Sequence, residues 1–437
     1  MKKVKKFVYT ALIATGMLGN FVSCDYLDVS KELAENLTLD QVFDNPGYTK
    51  RWQANIYNCI PDYSEMGKGA TTGFTGIWSL MSGQVVANTT AVGTQMITGF
   101  NSSNASFHHW ATLYRYIRQG FIFLDNAKDH MGSEQDASYI SEKDMNRLKA
   151  ETKFLIAYSY FSLFELYGPV PLISETEDPE NKSIDYPRAS VDEIVNYIDN
   201  LLKEVIDSNA LPETLFKGDP SAGFDYDHNN DRYNLKEIIR PTKVAALALR
   251  AKLWVYAASP LFNGGYKEAL QVTNKDGKRL FPDEDRSKWN TAKSRLEDLF
   301  TFAEGKGHKL YYAKPGSNGL PDPNLSVYEL FQYYNDEILW ANGNNSYRIV
   351  GNDMERRTCP RGANGFCNIG LYQEGVDAFF TKNGLTINED PEYKEDGFAD
   401  LVNRCSSTSH KDKHIFKMYH NREPRFYNTC LLYTSPS

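Results

Sequence analysis

The sequence has 437 residues, of which 41% are hydrophobic and 24% are charged. These fractions are ordinary for a soluble globular protein, so they argue against a disordered chain and against a polytopic membrane protein. The 56 acidic residues outnumber the 48 basic ones and give a net charge of −8. Because the one basic cluster lies within the first six residues, the charge pattern also argues against nucleic-acid binding.

The N-terminus has the pattern of an export signal. Four lysines precede an apolar run from Phe7 to Val22, which is too short and too interrupted for a membrane span. The run ends in Ser23 and Cys24, a pair that resembles the lipobox of bacterial lipoproteins. We therefore expect residues 1–23 to be a signal peptide and Cys24 to carry the lipid anchor. The alternative is an ordinary signal peptide followed by an unrelated cysteine.

The cysteines other than Cys24 do not form a disulfide framework. Five remain, an odd number in a long chain: Cys59, Cys359, Cys367, Cys405 and Cys430. An exported protein can form disulfides, and Cys359 and Cys367 flank a glycine-containing loop, so the sequence leaves this pair open. The spacing of the cysteines and histidines does not fit a zinc site.

Helical signals dominate the first part of the chain. A capping box at residues 38–41 and an Asn-Pro start at 45–46 predict two helices. Apolar residues spaced three and four apart predict another helix over 110–124. A longer helix is predicted over 141–167, and its section 154–166 is apolar on almost every side, so we expect it to be buried.

Further helices are predicted after a second capping box at residues 190–193, over 242–258 and over 289–303. The alanine-rich stripe of the 242–258 helix favours close approach of a partner helix. Residues 337–340 predict a short strand. The pattern indicates a mainly α fold, a tetratricopeptide-like scaffold of helical pairs with long irregular loops and a few short strands.

Two loop regions, residues 68–106 and 333–361, combine aromatic and polar side chains. A glycan site pairs aromatic rings, which stack on sugar C–H faces, with side chains that bind hydroxyls. The predicted ligand-binding residues are Trp78, Asn101, Tyr347 and Arg348. The same regions also offer Gln84, Asn88, Phe100, Tyr333, Tyr334 and Arg361. For each of them, packing within the protein is an equally good interpretation.

One segment has oxygen ligands at alternate positions, as a calcium loop does: Asp225, Asp227, Asn229 and Asp231. Asn230 stands where such a loop needs glycine, and Lys236 stands where it needs glutamate. A solvated loop is therefore the alternative, and Ca²⁺ is the one cofactor that the sequence suggests.

The sequence carries no motif of a metalloprotease, a serine hydrolase, a dinucleotide-binding fold or a P-loop enzyme. Glu151 and Glu165 lie on the predicted buried helix. We expect them to pair with buried polar groups, or with Arg250 and Lys243, rather than to act as an acid and a base. The sequence therefore predicts a protein that is not an enzyme.

Three segments together resemble one protein family. Residues 148–172 join a long apolar helix to the turn Tyr-Gly-Pro-Val-Pro, and residues 240–264 form an alanine-rich helix that ends in Ser-Pro-Leu-Phe-Asn-Gly. Residues 421–427 read Asn-Arg-Glu-Pro-Arg-Phe-Tyr. In this order the segments resemble the SusD/RagB family of outer-membrane nutrient-binding lipoproteins, and the lipobox at Cys24 agrees with that.

The resemblance implies a single SusD-like domain over residues 24–437. Family members continue well beyond the Pro-Arg-Phe segment, so we expect this domain to be incomplete at its C-terminus. The resemblance also implies a surface lipoprotein of a Gram-negative outer membrane. Such a protein binds oligosaccharide or polysaccharide nutrients and delivers them to a SusC-like TonB-dependent transporter. The alternatives are a helical-repeat scaffold that binds only protein and a surface glycoside hydrolase.

Overall fold

The computed structural model describes residues 37–61, 78, 82–87, 109–176, 185–218, 231–343, 361, 364–365, 369–400 and 414–429. These residues form a mainly helical structure with a few short strands, as predicted. None of the helices in these ranges is both long and apolar enough to cross a membrane.

Two short helices, α1 (Leu39–Phe43) and α2 (Pro46–Ile56), open the described part. The Thr38 hydroxyl accepts the Gln41 backbone N–H at 3.3 Å, and the Gln41 side chain accepts the Thr38 N–H at 2.9 Å. The predicted capping box is therefore confirmed, and so is the second start, where the Asn45 side chain accepts a backbone N–H of α2.

Five longer helices make up the scaffold, and each packs against the next one in sequence. They are α3 (Trp110–Asn126), α4 (Glu142–Tyr167), α5 (Val191–Asp207), α6 (Lys243–Ala258) and α7 (Ser287–Gly305). Contact between successive helices is the arrangement expected for helical pairs, so the prediction of a mainly α scaffold is confirmed.

Helix α4 is the centre of the core. The side chains of Phe154, Phe161 and Phe164 are almost completely buried, which stabilises the fold by about 1.5–3 kcal/mol for each ring. Gly168 ends the helix with a φ of +66°, a conformation that favours glycine. The Tyr160 hydroxyl then donates to the Ile173 carbonyl at 2.7 Å and accepts the Ile173 N–H at 2.9 Å, which fixes the extended segment after α4.

The predicted strand at residues 337–340 is wrong, because this segment begins in a turn and continues as irregular structure. The Asn335 side chain accepts the Glu337 N–H at 3.1 Å, and this bond shapes the turn. The Trp340 ring packs edge-on against Phe154 at 5.2 Å and against Tyr158 at 5.4 Å. Contact of Trp340 with the core, rather than strand pairing, therefore determines the course of the chain here.

The strands form two small antiparallel pairs. β1 (Val85–Ala87) pairs with β2 (Ile369–Leu371), and β3 (Phe398–Asp400) pairs with β4 (His414–Phe416). Among the residues described after α7 there are three short α-helices: α8 (Pro323–Leu330), α9 (Gln373–Asp377) and α10 (Pro424–Thr429). Helix α10 packs against α8, and the Asn428 side chain donates to the Asn324 carbonyl at 3.0 Å.

Candidate ligand-binding surface

Each of the two predicted loop regions contacts a segment that flanks the other region. The Asn342 side chain, shortly before Tyr347, donates to the carbonyl of Pro61 at 3.4 Å. Pro61 in turn precedes the segment that contains Trp78. A second link is the pairing of β1 with β2, in which Val85 lies opposite Leu371. The flanks of regions that are far apart in sequence are therefore neighbours in the fold.

Gly375 makes the second link possible. The Gln84 carbonyl accepts the Tyr372 N–H at 2.9 Å, which extends the pairing into the start of α9. A Cβ atom on Gly375 would lie 3.2 Å from the Gln84 Cα. The absence of a side chain at Gly375 therefore lets α9 approach β1 closely, and the Gln84 side chain is left exposed at this edge.

The structure describes two of the predicted site residues, Trp78 and Asp231. Trp78 lies in a helical turn and is half-buried, and Asp231 is exposed. The others lie outside the described residues: Cys24, Asn101, Asp225, Asp227, Asn229, Tyr347, Arg348, Cys359 and Cys367. The lipid anchor, the calcium loop and the disulfide therefore stay predictions.

For Tyr334, the structure supports packing within the protein. Its ring lies 4.9 Å from that of Tyr233, and its hydroxyl donates to the Ile338 carbonyl at 3.3 Å. Burial raises the pKa of Tyr334 to about 12. The neighbouring Tyr333 is 40% exposed, and Arg361 is exposed as well.

Helix α8 presents a row of apolar side chains to solvent that the sequence reasoning missed. Leu325, Tyr328 and Phe331 are spaced three apart, and Phe331 at the C-terminal cap is 81% exposed. The Asp322 carboxylate accepts the backbone N–H groups of Asn324 at 2.7 Å and Leu325 at 3.2 Å, so the helix has a firm N-terminal cap. The Asp-Pro pair at its start was the signal that could have revealed the helix.

An extended segment next to α8 adds another exposed ring. The Tyr311 hydroxyl donates to the Glu329 carboxylate at 2.7 Å, and the Ala313 N–H donates to the Ser326 hydroxyl at 3.0 Å. Because side chains alternate along an extended chain, Tyr312 points the other way and is 49% exposed. We call the exposed rings of Tyr328 and Phe331, three residues apart at the end of α8, the aromatic surface.

The Pro-Arg-Phe segment has a structural role. Phe426 is completely buried, and the buried guanidinium of Arg422 donates to the carbonyls of Val376 at 2.7 Å, Phe379 at 2.7 Å and Met418 at 2.9 Å. These bonds tie α9 to the chain before α10. The segment therefore holds together the part of the fold that carries β2 rather than contacting a ligand.

Glu151 belongs to a buried polar cluster. Its carboxylate accepts hydrogen bonds from Arg147 at 2.9 Å, from Arg240 at 2.9 Å and from the Tyr57 hydroxyl at 2.8 Å. Burial raises the pKa of Tyr57, and the charge of Glu151 raises it further. The carboxylate is thus fully occupied, which favours a structural role over acid–base chemistry.

The expected partners of the two glutamates were wrong in detail. Glu165 pairs with Lys252 at 3.0 Å, whereas Arg250 pairs with Asp199 on α5. Lys243 donates to the side chain of Asn209 at 2.8 Å. The sequence identified the kind of partner correctly, but the tertiary fold selected other cations.

Two family models match the chain. One, described as starch-binding and associating with the outer membrane, matches residues 25–222. The other, described as the SusD family, matches residues 336–437 and includes the buried Phe426. Together they match more than half of the chain. The chain belongs to the SusD/RagB family.

Solved structures of SusD-like proteins have the same fold. BT4246 is 22% identical with a TM-score of 0.62, over 88% of this chain and 64% of that chain. A SusD-like protein of Bacteroides fragilis, BF3747, is 18% identical with a TM-score of 0.52, over 89% of this chain and 60% of that one. A SusD-like carbohydrate-binding protein of the same organism, BF0978, is 15% identical with a TM-score of 0.51, over 89% and 60%.

At these identities the similarity establishes the fold alone. The chain spans less than two thirds of the length of each of these SusD-like structures. No functionally curated protein matches it.

Proposed function

We propose that this SusD/RagB protein binds oligosaccharide without cleaving it and that the aromatic surface is part of its binding site. The observation that carries the proposal is the exposure of Tyr328 and Phe331 on a capped helix. Aromatic faces that are open to solvent stack on the apolar C–H faces of sugar rings. The description of the matching family model as starch-binding supports the same ligand class.

The rings of the aromatic surface lie on elements that are fixed before a ligand arrives. Asp322 caps α8, and the Tyr311–Glu329 bond holds the neighbouring segment against it. A rigid platform loses little conformational entropy on binding. Rings that are exposed on a helix, rather than enclosed in a pocket, favour a polysaccharide segment over a small enclosed ligand.

The carboxylates singled out from the sequence support binding rather than hydrolysis. A glycosidase needs two carboxyl groups on opposite sides of the scissile bond. Glu151 is completely buried among its cationic partners, and Glu165 pairs with Lys252. Neither glutamate is placed for attack on a bound sugar.

We extend the proposal to location and transport. Lipidation of Cys24 would hold the protein at the surface of a Gram-negative outer membrane, and a SusC-like TonB-dependent transporter would accept its cargo. Family membership supports both statements. An interface with a transporter would need about 1,200 Å² or more of buried surface. A moderate affinity for the glycan would allow its release to the channel.

Calorimetry with a panel of neutral oligosaccharides tests the binding proposal. We expect Phe331→Ala to weaken binding about five- to tenfold, the loss of one stacking contact of roughly 1–1.4 kcal/mol. Phe300→Ala is the matched control, because Phe300 is 58% exposed but lies on α7, outside the aromatic surface.

Three outcomes would overturn the proposal. Equal affinities of the Phe331 and Phe300 variants would remove the aromatic surface from the site. Release of reducing sugar by the purified protein would indicate an enzyme. Absence of binding to every glycan, together with capture of a transporter, would indicate a scaffold that binds only protein.

A further inference from the structure

A cavity of about 260 Å³ lies beside the β3–β4 pair, and no residue of α8 lines it. It is lined by Thr381, Lys382, Asp390, Glu392, Tyr393, Lys394, Ala399, Lys417, His420 and Asn421. Sites for drug-sized ligands measure about 300–1,000 Å³. This cavity is slightly smaller, so its occupant would be about the size of a single sugar ring.

One wall of the cavity is a loop that is closed by its own hydrogen bonds. The Asp390 carboxylate accepts the Glu392 N–H at 2.8 Å and the Asn383 amide at 3.1 Å. The Thr381 N–H donates to the Leu385 carbonyl at 2.9 Å. A hydrogen bond from Thr381, followed by the other two, lowers the pKa of Asp390. The wall is therefore held in place without a ligand.

The second wall is tied to the first through the backbone. The Lys382 N–H donates to the Asn421 carbonyl at 2.7 Å, and the Lys417 N–H donates to the Gly397 carbonyl at 3.0 Å. The Lys417 side chain lies along Gly397, whose φ is +89°. Because Gly397 has no side chain, the Lys417 ammonium group can lie directly against the Gly397 backbone.

The cavity has an excess of positive charge. The lining carries three lysines against the carboxylates of Asp390 and Glu392, a net charge of +1. Lys382 pairs with Glu392 at 3.2 Å, and the charged Asp390 accepts the hydrogen bonds of its own loop. Within the described part of the chain, Lys394 and Lys417 form no ion pair. These two ammonium groups are therefore available to an anion.

The remaining lining suits a sugar ring. Tyr393 offers an aromatic face and a hydroxyl, and the Arg422 guanidinium lies 5.7 Å from the centre of its ring. Asn421 offers an amide in a backbone conformation with a φ of +54°. This lining matches a sugar that carries hydroxyl groups and one carboxylate. The tyrosine ring can stack on the sugar, the amide can bind its hydroxyl groups, and the two unpaired lysines can bind its carboxylate.

We propose that this cavity binds the carboxylate-bearing sugar of an acidic oligosaccharide, a hexuronate, with Lys394 and Lys417 as the cationic ligands. The proposal rests on the proposed glycan binding and narrows the substrate class. None of the residues that line the cavity belongs to the aromatic surface, so the two sites can be tested independently. Electrostatic contacts of this exposed kind weaken as salt is added.

Calorimetry with trigalacturonate and with its neutral counterpart galactotriose tests this assignment. We expect trigalacturonate to bind more tightly, and Lys394→Gln and Lys417→Gln each to reduce its affinity about two- to fivefold. The double variant should bind both trisaccharides equally. Lys143→Gln, on the exposed first turn of α4, removes the same charge elsewhere and should change nothing.

Preference for trigalacturonate that persists in the double variant would overturn the assignment. Inorganic sulfate that competes as well as the trisaccharide would indicate an anion site without sugar recognition, which also overturns it. In either case, binding of neutral glycans that depends on Phe331 would leave the proposed function intact. Melting temperatures of the variants show whether each is folded.

Discussion

The Arg250 guanidinium forms a two-point ion pair with the Asp199 carboxylate, with N–O distances of 2.6 Å and 2.7 Å, and so joins α6 to α5. The Trp254 indole donates to the same carboxylate at 2.7 Å. Both side chains of the pair are only 10% exposed. Asp199 also lies 3.5 Å from Arg295, whereas removal of Asp199 would leave the Arg250 charge buried without this partner.

We expect Asp199→Ala to lower the free energy of unfolding by about 3–5 kcal/mol, because it leaves the Arg250 charge buried. Urea unfolding followed by circular dichroism measures the change. The control is Asp207→Ala, which breaks an exposed pair with Lys203 on the same helix and should cost no more than about 0.5 kcal/mol. Equal losses in the two variants would show that burial of the Asp199 pair is unimportant.

The same pair predicts a dependence of stability on pH. Burial alone would raise the pKa of Asp199, but hydrogen bonds from Arg250 and Trp254 and the nearby arginine charges hold it below its usual value. A carboxyl group whose pKa is lower in the folded state stabilises fully above its unfolded pKa of ~3.9. That stabilisation is lost as the pH falls through the folded pKa.

We therefore expect the difference in unfolding free energy between the wild type and Asp199→Asn to be constant from pH 5 to 7 and to shrink below about pH 4. Unfolding curves at a series of pH values measure it. A difference that grew on acidification would contradict the direction of the pKa shift.

Gly264 and Gly305 predict opposite effects of the same substitution. Gly264 has a φ of +78°, and a Cβ atom there would clash with the backbone of Asp283 and Glu284. We expect Gly264→Ala to cost at least about 2 kcal/mol through strain and displacement of this loop. A Cβ atom at Gly305, the last residue of α7, meets no atom within 4 Å.

Gly305→Ala should therefore be neutral or stabilise the fold by up to about 1 kcal/mol, mainly through the entropy of the unfolded chain. Thermal unfolding of both variants gives the comparison. A Gly264 variant as stable as the wild type would mean that the loop relaxes freely around the new methyl group.

Lipidation of Cys24 has a separate test. Cys24→Ala should abolish metabolic labelling with palmitate and release the protein from the membrane fraction, because the thiol is the acceptor of the lipid. Ser23→Ala keeps a small residue before the cysteine and should leave labelling intact. Labelling that survives in the Cys24 variant would place the anchor elsewhere or indicate an ordinary signal peptide.

Local signals predicted most of the scaffold. The helix starts at Thr38 and Ser190 depend on side chains within three residues of each other, and the burial of α4 follows from its own apolar composition. The strand expected at 337–340 did not form, because contacts with a distant helix act against the local signal. Its local composition favours a strand, but the contacts of Trp340 with α4 outweigh that preference.

The candidate site was predicted less completely. The loop regions were identified from composition, and the family segments at 148–172 and 421–427 indicated a glycan-binding protein. The exposed row on α8 was missed because no helix was predicted there, and apolar residues three apart would in any case be typical of a buried helix face. Only the fold shows that this face of α8 is turned to solvent.

The sequence by itself determined the five longer helices, the caps at Thr38, Asn45 and Ser190, and the family, because each depends on residues that are close together within a segment of the chain. The tertiary structure alone decided which charges meet and where the walls of a site lie. Arg240 reaches Glu151, and β1 reaches β2, across long stretches of sequence. Such pairings depend on how whole helices pack, and the spacing of residues along the chain carries no record of that packing.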